Sequence, residues 1–245
     1  MWKYFKAVLK ISLLVLFNYP RMVYYSRHPD KVPYEKRRKL GFRLYRRVAE
    51  IFNIQLKIEG KENIVDGNVV FVSNHQSFYD PIMLSEMGLD DKRIVYIAKK
   101  EIKKFPFAGR VSTFLDSIYI DRDEPREAIR VMNDACKKYQ EGFSVWVFPE
   151  GTRTKKEDHS MNEFKAGTFK LAFKTKATII PCALCGTWEV LSKKINKKKY
   201  EIALKFYKPL TYDDYKNLST IELSEKIHKM IKEDVDKMLK DYLPA

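Results

Sequence analysis

A chain of 245 residues that is 45% hydrophobic can bury one sizeable core, which excludes a disordered or low-complexity polypeptide. Its three cysteines, Cys136, Cys182 and Cys185, form an odd, unrepeated set, which excludes a disulfide framework and points to reduced thiols in a cytoplasmic compartment. The net charge is +15, and residues 1–57 hold fourteen Lys or Arg against Asp30, Glu35 and Glu50, so an anionic partner is implied, either a membrane surface or a nucleic acid.

The first predicted element is the apolar run "AVLKISLLVLF" (7–17). As a helix it would cover about 16 Å of a hydrocarbon core roughly 30 Å thick, too little to span. A cleaved secretory signal competes with this reading, but "NYPRMVYY" follows where small residues should mark the cleavage site. The second element, residues 33–56, opens on Pro33 and has a helical period. Leu40, Leu44, Tyr45, Val48, Ile51 and Phe52 fall within about 140° of arc, and Lys36, Lys39, Arg43, Arg46 and Arg47 gather opposite, with Arg37 and Arg38 as exceptions. With Trp2, Tyr4, Phe5, Tyr19, Tyr24 and Tyr25 as interfacial aromatics, residues 1–56 read as an amphipathic helical pair lying on an anionic membrane. The competing reading is a helical arm packed on its own domain with a solvated basic face.

From residue 57 to 245 short apolar runs alternate with helical patterns, the mark of a mixed α/β sheet covered by helices. Strands are predicted at 69–73, 94–98, 117–120, 143–148, 178–184 and 202–207, and helices at 81–88, 101–115, 125–141 and 163–176. A final helix starts at a capping box formed by Ser219 and Glu222 and carries an apolar line at Ile227, Met230, Ile231, Val235 and Met238. The Lys-rich stretch 192–200 reads as a solvated loop. Cys182 and Cys185 have the spacing of half a zinc site, but no second Cys/His pair follows and the run around them reads as a buried strand, so no metal site is expected.

Two turns carry the candidate chemistry. In "NHQSFYD" (74–80), His75 and Asp80 would lie about 140° apart on one continuous helix and could not touch. A strand ending at Ser73 and an N-cap at Asp80-Pro81 supply a turn between them, so Asp80 could hold Nδ1–H of His75 and leave Nε2 as a base. From spacing alone, a capped turn and a catalytic pair are equally good readings. In "FPEGTRT" (148–154), Pro149, Glu150 and Gly151 suit a tight turn, while the N–H groups of Gly151 and Thr152 and the fork of Arg153 suit a phosphate. Lys165 follows in "FKAG". Lys99 or Lys100, and Arg122 in "IYIDR", place further cations just after strand ends, where α/β sheets gather functional groups.

In this order, "NHQSFYD", "AKKEIKKFPFAG", "IYIDR", "FPEGTRT" and "IIP" (179–181) resemble the motif blocks of the glycerolipid acyltransferases, specifically the 1-acylglycerol-3-phosphate acyltransferase (PlsC-type) family. The resemblance covers about residues 60–190, and bacterial members are similar in placing a membrane-associated two-helix segment before the catalytic domain. It implies acyl transfer from a thioester, acyl-CoA or an acyl-acyl carrier protein, to the hydroxyl of lysophosphatidate, with no metal or organic cofactor. It implies His75 as general base, Asp80 as its orienting partner, and Glu150, Gly151, Thr152 and Arg153 as the acceptor-binding block, with Lys99 and Arg122 holding the acceptor phosphate. The expected place is the cytoplasmic face of the cell membrane, monotopic or peripheral. Direct attack without an acyl-enzyme is expected, since the sequence has no GxSxG elbow. No nucleic acid is expected as partner, since no recognition motif accompanies the charge.

Overall fold

The structure, a computed structural model, describes residues 2–81, 89, 92–121, 124, 126–190 and 197–242. Its first element is longer than the apolar run that announces it. Helix α1 (Trp2–Arg27) runs 26 residues through Pro20, about 39 Å at 1.5 Å per residue, and Phe5–Arg27 is long and apolar enough to cross a membrane by length and composition. One side of the helix packs: Ala7, Ile11, Leu14 and, in the extension, Met22 and Tyr25, at helical spacings, face the rest of the protein, and Phe5, Val8, Leu9, Leu13, Leu16 and Phe17 are exposed. Tyr25, expected as an interfacial aromatic, is instead buried, its ring edge-on to Phe114 at 6.1 Å.

Helix α2 (Tyr34–Phe52) follows Pro33 as expected but stops before residue 56, because Asn53 takes left-handed backbone (φ 53°) and its N–H caps Ala49 and Glu50 carbonyls. Residues beyond it form strand β1 (Ile54–Glu59), whose alternating "IQLKIE" has a period of two that the helical reading overlooked. The expected segment boundary after residue 56 therefore falls inside a strand. The apolar arc of α2 is buried in the protein apart from the partly buried Ile51, while Lys36, Lys39, Arg43, Arg46 and Arg47 are exposed. The two exceptions to that pattern are buried: Arg37 pairs bidentately with Asp116 at 2.7 and 3.2 Å, donates to Val32 O at 2.9 Å, and also reaches Phe114 O.

All six predicted strands form: β2 (Val70–Ser73), β3 (Ile94–Lys99), β4 (Ile118–Ile120), β5 (Ser144–Val147), β6 (Ile179–Cys185) and β7 (Tyr200–Phe206). The sheet order is β1-β7-β6-β2-β5-β3-β4, and every neighbouring pair is parallel except β6 with β7. Strands β2, β5 and β6 are buried at every position, which is why they read as continuous apolar runs rather than alternating ones.

The helix expected over 101–115 is interrupted at Phe105-Pro106: a 3-10 turn (Lys100–Lys104) precedes α3 (Ala108–Phe114), since proline disfavours helical backbone before it. Helix α4 (Glu127–Gln140) ends at Gly142 with φ 84°, and the stretch 163–176 yields a 3-10 turn (Ala166–Phe169) and α5 (Lys170–Thr175). Short helices α6 (Thr187–Val190) and α7 (Tyr212–Tyr215) precede α8 (Thr220–Tyr242). The capping box of α8 is made: Ser219 N–H donates to Glu222 at 2.7 Å and Glu222 N–H to Ser219 Oγ at 3.2 Å. Residues from α4, α5 and α8 cover one face of the sheet, and Ala7, Val48, Phe52 and Tyr79 help cover the other. Residues 82–88 of the helix expected over 81–88 and 192–196 of the loop expected over 192–200 lie outside the described residues.

Candidate active site

Strands β2, β3 and β5 are parallel, so the segments that follow them emerge on one edge of the sheet. After β2 the chain must reverse. Asp80, with a side chain 1% exposed, organises that turn by accepting Gln76 N–H at 2.8 Å and Ser77 N–H at 3.1 Å on the oxygen that also meets His75 Nδ1 at 2.7 Å. A carboxylate oxygen facing Nδ1 fixes the proton there, which leaves Nε2 as the acceptor nitrogen. One carboxylate oxygen therefore both ties the turn and faces the imidazole, while the helix that Asp80 was expected to cap lies outside the described residues.

The neighbouring residues hold the imidazole from other sides. Asn74, fully buried, extends the β2–β6 pairing with its side chain, donating to Leu184 O and accepting Leu184 N–H at 2.8 Å each. Phe148, at the end of β5, stacks on the His75 ring with centroids 4.2 Å apart and planes 25° apart. Glu150 is buried at 3% exposure, and its two oxygens accept His75 N–H at 2.7 Å and Asn162 N–H at 2.9 Å. Burial raises its carboxyl above the usual range, against the pull of those N–H donors. Thr154 N–H closes the arrangement by donating to His75 O at 3.0 Å.

His75 opens onto a cavity of about 580 Å³ lined by Tyr45, Tyr96, Ile97, Ala98, Ile102 and Phe148 within, and by Phe78, Lys99, Phe105, Thr152, Arg153 and Lys155. The volume suits an organic ligand with a long apolar part. Of the expected substrate-binding residues, Thr152, Arg153 and Lys99 line it. Gly151 and Glu150 do not: Gly151 turns the chain at φ 69° with Lys165 lying against it, and Glu150 faces inward as a bridge between two loops. Lys100 turns away to Asp121, and Arg122 lies outside the described residues.

Sequence reasoning overlooked Asn74, Phe148 and Lys155. Each adjoins a motif residue; the signal available for Asn74 and Phe148 was their place just after β2 and β5, and for Lys155 only its position next to Thr154. A second, polar cavity of about 400 Å³ at the β1–β7 edge is far from this chemistry in the fold, and Lys57 and Lys199 in its wall both pair with Glu201 at 2.6 and 2.7 Å.

A family model described as Acyltransferase matches residues 55–185, which include both motif turns and β1 through β6. Among curated proteins, 1-acyl-sn-glycerol-3-phosphate acyltransferase LPAT1, chloroplastic, of Arabidopsis thaliana is 34% identical over 139 residues, covering 56% of this chain and 38% of that protein. The 1-acyl-sn-glycerol-3-phosphate acyltransferase of Limnanthes douglasii is 32% identical over 186 residues, covering 75% of this chain and 63% of that protein. The chain thus spans between 38% and 64% of the length of the first curated relatives it matches. The crystal structure of the 1-acyl-sn-glycerophosphate (LPA) acyltransferase PlsC from Thermotoga maritima superposes with a TM-score of 0.73 over 97% of this chain and 98% of that one, at 22% identity, so the two share a fold. With a family model matching more than half its length around a His75–Asp80 pair set at the carboxyl edge of a parallel sheet, the chain belongs to the acyltransferase family.

Proposed function

We propose that the protein transfers a fatty acyl group from a thioester donor, acyl-CoA or an acyl-acyl carrier protein, to the sn-2 hydroxyl of 1-acyl-sn-glycerol-3-phosphate, giving phosphatidic acid for phospholipid biosynthesis. The observation that carries the reading is the His75–Asp80 pair, 2.7 Å apart, opening onto an apolar cavity whose wall includes Arg153 and Lys99. An apolar interior beside cations matches a ligand with acyl chains and a phosphate. The names of the curated relatives support the choice of acceptor.

In this mechanism Nε2 of His75 removes the hydroxyl proton as that oxygen attacks the thioester carbonyl. Asp80 keeps Nδ1–H in place and stabilises the imidazolium. Collapse of the tetrahedral intermediate expels the thiolate, which takes the proton back from Nε2. No acyl-enzyme is required, and the placement of Ser77 supports its omission: Ser77 is buried, and its Oγ accepts Tyr79 N–H at 3.2 Å. The chemistry runs on the imidazole and calls on no metal or organic cofactor. Arg153, Thr152 and Lys99 hold the acceptor phosphate, and Gly151 and Glu150 shape the loop that presents them.

The protein sits on the cytoplasmic face of the membrane through residues 1–56, as a monotopic or peripheral enzyme. The apolar side of α1 provides contact with lipid, and the basic side of α2 provides attraction to anionic headgroups. The stripe from Ala7 to Tyr25 that packs on the protein favours α1 lying along the surface over crossing it.

An assay supplying several lyso-lipids together tests the acceptor. Lysophosphatidate should be consumed first, and preferential acylation of a zwitterionic or amine-bearing lyso-lipid would replace it as substrate.

A further inference from the structure

Arg153 is an unusual cation. It is partly buried, and burial lowers its pKa against the favourable charge of Asp80, yet no side chain or carbonyl among the described residues accepts a hydrogen bond from its guanidinium. What holds it is a ring: Cζ of Arg153 lies 3.6 Å from the centroid of Phe78. Phe78 is itself out of place for a large apolar residue, 49% exposed in the wall of the cavity, while its neighbour Tyr79 is fully buried. The turn that fixes Asp80 against His75 also fixes where the Phe78 ring stands, since the backbone N–H groups of Gln76, Ser77 and Tyr79 are all tied within it.

We infer that Phe78 is a positioning residue that holds the Arg153 guanidinium for the acceptor phosphate. This rests on the lysophosphatidate reading above and deepens it. A guanidinium stacked on an aromatic face spends that face on the ring and keeps its N–H donors free at the edges, the geometry in which it forks onto a phosphate. The stack also removes rotamer freedom from a long side chain before the ligand arrives, so less is lost on binding. The acceptor's anionic end and the catalytic turn are thereby joined: the residue that aims the cation stands in sequence between the base and its orienting carboxylate.

The test compares wild type with Phe78→Ala, Phe78→Leu and Phe78→Tyr, measuring kcat and KM separately for lysophosphatidate and for an uncharged 1-monoacylglycerol. Loss of a cation–ring contact should raise KM for lysophosphatidate about 3- to 30-fold with kcat within about threefold of wild type. Phe78→Leu, which keeps apolar bulk and removes the ring, should lose as much as Phe78→Ala, and Phe78→Tyr should recover most of it. The preference for lysophosphatidate over monoacylglycerol should fall by the same factor in both ring-less variants. Wild-type KM in Phe78→Leu, or an equal loss with charged and uncharged acceptors, overturns the positioning role while leaving the acceptor assignment standing. Absence of transfer to lysophosphatidate by wild type overturns both. Because Phe78→Leu and Phe78→Tyr keep a large side chain on an exposed site, a folding failure in Phe78→Ala alone leaves the comparison intact.

Discussion

At the scale of single residues, the site depends on carboxylates that accept backbone N–H groups. Glu150 does not line the cavity that His75 opens onto, yet it ties His75 to the loop at Asn162 through one buried side chain. Glu150→Gln presents an NH₂ group to one of those two N–H donors. It should cost about 1–3 kcal/mol in denaturant unfolding and lower kcat by loosening the His75 backbone. Its pH dependence has a definite sign. Burial raises the Glu150 carboxyl, so between the unfolded and folded pKa values the native state binds more protons than the unfolded chain. This group's contribution to stability is fully present below that window and is lost as pH rises through the folded value. Urea midpoints measured across the window should therefore fall with pH less in Glu150→Gln than in wild type. The role was not legible in "FPEGTR", because a glutamate three residues before an arginine suited to a phosphate reads equally well as a ligand. Only the three-dimensional path of the 74–80 turn brings its backbone N–H to that carboxylate. His75 and Asp80 were legible as a pair because the cap reading and the orienting reading place the carboxylate in the same turn.

At the scale of elements, the N-terminal helices are fastened to the sheet domain by more than apolar contact. Arg37 on α2 reaches Asp116 beyond α3, and its side chain is 6% exposed. Arg37→Ala leaves Asp116 without its cation and two backbone carbonyls without a donor, and should destabilise the protein by about 3 kcal/mol or more, seen as a lowered thermal midpoint. Its position on the apolar side of α2 was visible in the helical period as an exception, though its partner, nearly eighty residues away, was not. The six strands after residue 60 were legible because buried parallel strands leave continuous apolar runs bounded by turns. Strand β1 was not, because it follows α2 after a single residue and "NIQL" continues the helical period well enough to hide the change to a period of two. The length of α1 was hidden for a different reason: its second half is aromatic and polar, and it is helical because Met22 and Tyr25 find burial against α3 and α2. Local propensity alone gives no such instruction.

At the scale of the whole molecule, most of the excess positive charge lies on residues 1–57, where α2 has an exposed basic side and α1 an exposed apolar side. Binding to liposomes containing anionic lipid should therefore be strong at low salt and weaken between about 50 and 500 mM salt as the Debye length shrinks, with the apolar contact of α1 retaining a residual bound fraction. Flotation that is insensitive to both salt and anionic lipid content would contradict the interfacial placement. Since α1 and α2 also bury core residues, removing them should lower stability as well as membrane affinity, which separates this arrangement from a detachable anchor. The central claim is that His75 and Asp80 perform acyl transfer to lysophosphatidate at this surface. It is tested most directly by mass-spectrometric analysis of the products formed from lysophosphatidate and acyl thioester by wild type and by purified, folded His75→Ala. Phosphatidic acid should accumulate with wild type and its rate of formation should fall about 10²–10⁴-fold with His75→Ala; equal rates from the two proteins would contradict the account.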